Sequence, residues 1–273
     1  MYDVISSYID ASISYHHLCY RGYENPFPKP HIHDAFEFIF LKKGNVTYSI
    51  NEKTYELGDN SLIITRPHKL HSIKLNNPDV YDRYVMIFDE YMIWPDIYKR
   101  LPENLDVLTF KAPQNFISIF EKTDFYCKHF EGESLKNILF NTIEEIFYNI
   151  VAVSEHYPES IFYNKYTVNP VLAKAIEYIE KNITKKITLD FLCGDLYISK
   201  SYLNKIFAEN FNISPKKYIN QYKLAFIQKE LQSNAKPMEI YQKYGFSDYS
   251  AFYREYKNFF GHPPSKETGR KST

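Results

Sequence analysis

The chain has 273 residues, of which 44% are hydrophobic and 24% charged, so it is long enough for two folded domains. No apolar run reaches the roughly 18 residues that span a bilayer, and MYDVISSYID lacks a signal pattern, so we expect a cytoplasmic protein with no membrane partner. The three cysteines, Cys19, Cys127 and Cys193, show no paired spacing, so we expect them to be reduced. The net charge is zero, but residues 165–273 carry a net +8 and residues 1–164 a net −8, which is typical of a sensor joined to a nucleic-acid binder unless the segregation arose by chance.

Residues 12–89 have the pattern of β-strands separated by turns. Short apolar runs such as FEFIFLKKG, VTYSI and SLIITR are interrupted by Gly44, Asn51 and Gly58. Turns spaced about ten residues apart predict a β-sandwich or a small barrel.

The periodicity becomes helical from Pro113 onward, with Gly132 between two predicted helices. The second helix carries Ile143 and Phe147 on an apolar stripe that is wider than a small barrel requires. We therefore predict dimerisation through residues 113–153, the alternative being that both helices pack back on the barrel. Residues 154–168 show no clear period and predict a linker between domains at 1–157 and 169–270.

Everything after this linker reads as helix. Ser199 is a suitable N-cap, Ser214–Pro215 begins a long helix, and Pro237 begins a short helix that ends near Gly245. Ser247 or Asp248 then caps the last strong helix. A short helix, a turn and a capped helix thus occur twice, which predicts two helix-turn-helix motifs joined by a connecting helix.

The second helix of each motif should present a polar face to the major groove. Leu203, Ile206 and Phe207 are expected to be buried in the first motif, and Ala251, Phe252 and Tyr256 in the second. The outward-facing residues are then Ser201, Asn204, Lys205 and Ala208 in the first motif and Tyr249, Ser250, Tyr253 and Arg254 in the second. Asn and Arg side chains can read adenine and guanine edges, although a solvated helix face has the same composition.

Residues 170–264 resemble the DNA-binding domain of the AraC/XylS transcriptional regulators, most specifically in YGFSDYSAFYREYKNFFGHPP. The resemblance implies that six of the outward-facing residues contact bases or phosphates of double-stranded promoter DNA: Ser201, Asn204, Lys205, Tyr249, Ser250 and Arg254. Lys223 stands where an Arg is usual in the connecting helix, and Glu267 and Thr268 stand where Tyr-Arg is usual.

The segment HIHDAFEFIFLKKG places His31, His33 and Glu37 at even spacing, so that a strand would point all three to one face. A second segment, GDNSLIITRPHKLH, ends nearby with His71, and Arg83 is a further pocket candidate on its own strand. By ligand type, the three histidines and the glutamate would suit Fe, Mn, Zn or Ni. The layout over roughly residues 12–90 resembles the two cupin motifs, although the second lacks a glycine before His71.

Three interpretations of this cluster stay open: a metal site, an effector pocket and a purely structural role. Many AraC-type regulators are similar in carrying His-x-His and Glu without a metal, which favours an organic effector and no obligatory metal or other cofactor. The resemblance implies an α+β fold, in which a cupin-like jelly-roll barrel with a helical dimerisation segment precedes the all-α double helix-turn-helix domain.

The leading hypothesis is a one-component transcription activator, not an enzyme. It would be controlled by a small molecule, a sugar or a related metabolite, and would act as a homodimer with RNA polymerase as a further partner. The alternative is a metal-dependent cupin enzyme, an isomerase or dioxygenase, with an accessory DNA-binding tail.

Overall fold

The computed structural model describes residues 2–21, 30–77, 80–101 and 105–267. Its strands are β1 (Tyr2–Ile9), β2 (Ile13–Tyr20), β3 (Phe36–Lys43), β4 (Val46–Ile50), β5 (Lys53–Leu57), β6 (Ser61–Thr65), β7 (His71–Leu75), β8 (Tyr81–Phe88), β9 (Val107–Phe110), β10 (Ile161–Tyr163) and β11 (Tyr166–Val168). Its α-helices are α1 (Pro95–Arg100), α2 (Gln114–His129), α3 (Gly132–His156), α4 (Pro170–Lys181), α5 (Leu189–Leu196), α6 (Lys200–Phe211), α7 (Pro215–Gln232), α8 (Pro237–Lys243) and α9 (Tyr249–Phe260).

The strands form two antiparallel sheets that pack face to face. The larger sheet has the order β1-β2-β8-β3-β6-β9-β10 and the smaller has the order β11-β5-β4-β7. Side chains alternate along β3, so Ile39 and Leu41 pack between the sheets while Phe38 and Phe40 point to the outer face of the larger sheet. Both faces of this central strand are therefore buried.

Helices α2 and α3 cover that outer face. Ile143 and Phe147 are fully buried, and the Phe147 ring packs edge-on against Phe38 with centroids 4.9 Å apart. The prediction that this stripe forms a dimer interface is wrong, because the stripe packs on the outer face of the larger sheet within one chain, in the same buried cluster as Phe38 and Phe40.

The predicted linker is also more ordered than its sequence indicates. Within residues 154–168, β10 pairs with β9 and β11 pairs with β5, so this segment adds one strand to each sheet. The partner strands of β10 and β11 lie about 50 and 110 residues away in sequence. The spacing of apolar residues within residues 154–168 therefore does not reveal this pairing.

The helices after residue 169 form an all-α domain, as predicted. Ser199, Ser214 and Asp248 cap α6, α7 and α9 by accepting hydrogen bonds from the backbone N–H groups of Tyr202, Lys217 and Ala251. The pairs α5–α6 and α8–α9 are the two helix-turn-helix units, and α7 connects them. None of the helices in the described ranges is long and apolar enough to cross a membrane.

Two departures from the family pattern have structural roles. The Lys223 ammonium donates hydrogen bonds of 2.6 Å each to the carbonyl oxygens of Lys185, before the first unit, and Tyr244, in the second. Glu267 is fully buried and accepts hydrogen bonds from Gln228 (3.0 Å) and Tyr256 (3.2 Å). Thr268 lies outside the described residues.

Candidate effector cavity and nucleic-acid interface

A cavity of about 190 Å³ lies between the two sheets of the N-terminal domain. It is lined by residues of β2, β3, β4, β7 and β8 and of the segment before β3: His16, Leu18, His31, Glu37, Ile39, Tyr48, His71, Ile73, Arg83, Val85 and Ile87. The lining includes four of the five predicted effector residues. The fifth, His33, adjoins them, since one nitrogen of each histidine and one oxygen of Glu37 lie within 4.8 Å of one another.

The histidines reach Glu37 by a route that differs from the prediction. A single strand over residues 31–37 is wrong, because β3 begins only at Phe36. Instead, His31 forms an isolated β-bridge with His71, in which each backbone N–H donates to the other residue's carbonyl oxygen at 3.1 Å. The backbone N–H of His68 also donates to the His33 carbonyl at 3.0 Å. These bonds bring both segments to the cavity.

Glu37 is the electrostatic centre of the cluster. The residue is 7% exposed, and its Oε2 lies 2.8 Å from His71 Nε2 and 3.6 Å from His33 Nε2. Burial raises the pKa of this carboxyl, but the contacts with His33 and His71 outweigh burial, so its pKa lies well below the ordinary value. Glu37 is therefore ionised at neutral pH.

The tautomers of the two histidines follow from their backbone contacts. Nδ1 of His33 lies 3.0 Å from the Ala35 carbonyl oxygen, and Nδ1 of His71 lies 2.9 Å from that of Lys69. Each Nδ1 must carry a proton to donate there, which leaves each Nε2 directed at the cluster. A carboxylate oxygen and an imidazole nitrogen 2.8 Å apart need a proton or a cation between them. The donor set could thus hold either a shared proton or a divalent transition metal.

Sequence reasoning identified the wall residue Arg83 but missed its neighbour His16. His16 lies on β2 opposite Val85 of β8, and burial and the Arg83 charge lower its pKa. Arg83 is 8% exposed and donates to the Tyr81 hydroxyl at 2.9 Å. His16 lies two residues from Leu18 on β2, so both side chains point to the cavity face of the strand; this spacing is the signal that could have identified His16.

The recognition helices expose most of the predicted DNA contacts. Ser201, Asn204 and Lys205 are exposed on α6, and Ser250 and Arg254 on α9. Tyr249 differs, because its half-buried ring packs on Tyr241 (centroids 5.7 Å apart) and Phe252 (5.8 Å). Among the residues predicted to be buried, Leu203, Ile206, Phe207, Phe252 and Tyr256 are buried, and Ala251 is only half-buried.

Comparisons with known proteins match both halves of the chain. The profile of the AraC-like ligand binding domain matches residues 11–98, and that of a helix-turn-helix domain matches residues 192–270. The Msm operon regulatory protein of Streptococcus mutans is 27% identical over 272 residues, which is 91% of this chain and 88% of that protein. The transcriptional regulatory protein HptR of Staphylococcus aureus is 28% identical over 103 residues, and the match spans 38% of this chain and 39% of HptR. A crystal structure of ToxT from Vibrio cholerae aligns with 94% of this chain and 97% of ToxT, at 15% identity and a TM-score of 0.40.

Proposed function

We propose the function of this chain from one premise, namely that it belongs to the AraC family of transcription regulators. It is a DNA-binding regulator controlled by a small molecule. We propose further that it is an activator rather than an enzyme, and that it works in the cytoplasm, where promoter DNA and RNA polymerase are. The observation that carries the proposal is a cavity with a carboxylate, imidazoles and a guanidinium in its wall, in the same chain as two capped helix-turn-helix units.

For the DNA-binding half, we propose that α6 and α9 enter successive major-groove segments, one helical turn apart. Asn204 and Arg254 would read base edges, and Ser201, Lys205 and Ser250 would contact bases or the backbone. Tyr249 would offer DNA only the exposed edge of its ring, since the rest packs inside the second unit.

For the sensing half, we propose that His31, His33, Glu37, His71 and Arg83 bind an organic effector. The cavity, at about 190 Å³, is smaller than the roughly 300–1,000 Å³ typical of drug-sized ligands, so it admits one compact molecule. A monosaccharide or a related polyol fits this description. Its hydroxyls would bond to the ionised carboxylate, the imidazoles and the guanidinium, while its apolar face would lie on the isoleucine and valine side chains of the wall.

A second candidate ligand is a divalent transition metal. The observation that favours it is the convergence of the three histidine nitrogens and one glutamate oxygen within 4.8 Å, with the Nδ1 atoms of His33 and His71 already engaged by carbonyl oxygens. Such outer hydrogen bonds orient metal-ligating histidines in other proteins. In that case the regulator would respond to the metal itself or to an anion bound to it.

We also propose a homodimer formed through the exposed face of α2 and α3. Phe125 and Tyr148 are 54% and 50% exposed there, although the buried stripe of α3 is not available to a partner. A dimer would place its two DNA-binding domains on repeated half-sites.

The experiment uses the purified full-length chain. Operator sequences are first selected from random duplex DNA, and their affinity is then measured by fluorescence anisotropy with and without each member of a monosaccharide panel. An effector should shift the affinity by about 5–150-fold, which corresponds to 1–3 kcal/mol of coupling. His33→Ala and Glu37→Ala should abolish this shift while operator binding persists. Failure to select any preferred sequence would refute the regulator.

Elemental analysis of the dialysed protein separates the two ligands. About one metal ion per chain, lost in His31→Ala, would favour the metal over the organic effector. Turnover of a sugar substrate that requires this metal would favour the enzyme alternative.

A further inference from the structure

Two short segments, residues 31–34 and 68–71, form one wall of the cavity, and we call them the coupling wall. They are joined by the backbone hydrogen bonds between His31 and His71 and by the bond from His68 to the His33 carbonyl. The contacts of their side chains give the wall two different faces. His31, His33 and His71 face the Glu37 cluster.

The opposite face of the coupling wall contacts the DNA-binding domain. Ile32 and Leu70 are 4% and 1% exposed, and they belong to the same buried apolar cluster as Leu172 and Ile176 of α4. The core of the DNA-binding domain therefore includes two side chains of the sensing domain. These two residues are the immediate sequence neighbours of the cavity histidines.

Polar and aromatic contacts extend this docking to α7. Asp34 Oδ1 lies 3.5 Å from Lys229 Nζ and 3.2 Å from His68 Nε2, and the His68 ring lies 4.0 Å from the Phe226 ring. Lys69 Nζ lies 3.3 Å from a Glu180 carboxylate oxygen at the end of α4. The wall thus touches α4, which precedes the first helix-turn-helix unit, and the C-terminal half of α7, which leads to the second.

On the inner face, the contact between Glu37 and His71 joins the wall to the larger sheet, while Asn51, after β4 of the smaller sheet, is hydrogen-bonded to the Leu70 backbone at 2.8 and 3.1 Å. Glu37 belongs to the central strand β3, and its carboxylate holds His71 at 2.8 Å. A ligand that bonds to Glu37 or to the imidazoles must replace or redraw this contact. We expect any resulting movement of His71 to be passed to Leu70, because the two residues are adjacent in the chain.

We propose that the coupling wall transmits occupancy of the cavity to the DNA-binding domain by changing how Ile32, Leu70 and Asp34 dock on α4 and α7. This regulation rests on the proposed function of the cavity as the effector site. It requires no long relay, since the two faces of a single layer of backbone contact the ligand and the DNA-binding domain.

Hydrogen–deuterium exchange of the full-length chain tests the wall without a known effector. Glu37→Gln preserves the shape of the side chain but removes the charge that anchors His71. It should raise amide exchange in Pro170–Lys181 and in residues 226–232 at least about fivefold, the lower end of usual allosteric couplings. The control Glu144→Gln also removes a buried carboxylate, but from α3, where Glu144 accepts a hydrogen bond from the Trp94 N–H, and it should change exchange in these helices less than twofold. Equal effects of the two variants, or none, would overturn the proposal.

A double-variant cycle provides a second test, with operator affinity as the readout. Leu70→Ala loosens the outer face directly, and Glu37→Gln should act on the same docking, so each should change the dissociation constant in the same direction. Combined, they should give no more than the larger single effect; multiplicative effects of the two substitutions would contradict the wall. If no operator sequence can be selected, the proposed function is refuted, but the hydrogen–deuterium exchange result still tests the coupling wall. If operator binding responds to an effector but exchange in α4 does not respond to Glu37→Gln, the wall fails and the regulator stands.

Discussion

Gly245 lets the turn after α8 pack directly on the backbone of residues 185–186, before the first helix-turn-helix unit, and Gly245→Ala should be strongly destabilising. Its φ of +70° lies in the left-handed region, where an alanine costs about 1–2 kcal/mol. An added Cβ would also lie 2.7 Å from the Lys185 carbonyl carbon and 2.7 Å from the Lys186 nitrogen. Both are backbone atoms that no side-chain rotation can move, so we add the roughly 1–3 kcal/mol typical of overpacking. The total is about 2–5 kcal/mol.

Two other glycines supply matched controls. Gly261 has a similar φ of +76° but nothing within 4 Å of an added Cβ, so Gly261→Ala should cost only the backbone strain of about 1–2 kcal/mol. Gly194 is helical with nothing within 4 Å, so Gly194→Ala should stabilise by about 0.5–1 kcal/mol. Urea unfolding followed by circular dichroism at the helical band gives all three values.

The same variants test the link to DNA binding. Displacing the turn after α8 from residues 185–186 changes the spacing between α6 and α9, so Gly245→Ala should weaken operator binding more than Gly261→Ala does. The reasoning is refuted if Gly245→Ala proves no more destabilising than Gly261→Ala, because the close backbone approach would then cost nothing.

Three further predictions concern DNA, assembly and pH. Arg254→Ala should weaken operator binding by about 1–3 kcal/mol if Arg254 reads a guanine. Lys216→Ala should instead weaken binding to all DNA sequences alike and make the affinity less dependent on salt concentration. Fluorescence anisotropy at two salt concentrations distinguishes the two effects, and an Arg254→Ala variant that binds as the wild type does would exclude that role. Phe125→Asp should yield folded monomers in sedimentation at micromolar concentration, whereas Phe147→Asp should unfold the sensing domain; a monomeric wild type would refute the dimer. Burial lowers the pKa of His17, but its contacts with the carboxylates of Asp124 (2.6 Å) and Asp82 (2.9 Å) outweigh burial and raise it. The protonated His17 ring therefore contributes its full share of the free energy of unfolding below the unfolded pKa of about 6.5, and this share is lost as pH rises through the folded pKa. The difference in unfolding free energy between wild type and His17→Gln should therefore shrink in urea titrations at alkaline pH. A difference that stays constant with pH would contradict this assignment.

The helical half of the chain was predictable because its signals are local. The hydroxyl and carboxylate caps at Ser199, Ser214 and Asp248 act on N–H groups three residues away, and the helical period selects buried faces within one turn. A residue pattern over about ten positions therefore contains the whole interaction, and the two helix-turn-helix units follow from it. Tyr249 departs from the pattern because its ring packs on Tyr241 of the preceding helix, which the spacing within α9 does not reveal.

The sensing half depends on contacts between distant segments. The sequence identified His31, His33, Glu37, His71 and Arg83 as a possible set from residue type and even spacing, but it gave the wrong route by which they meet. The bridge between His31 and His71 joins residues 40 positions apart, and its partner is chosen by sheet packing rather than by local preference.

The sequence by itself determined the residue types of the cavity, the paired helix-turn-helix units and their capped boundaries. Only the tertiary structure decided that the stripe of Ile143 and Phe147 is core rather than interface, and that Ile32 and Leu70 belong to the DNA-binding domain's core. The physical reason is that hydrophobic burial is non-directional: an apolar side chain specifies that it must be covered, and only the packed fold specifies by what.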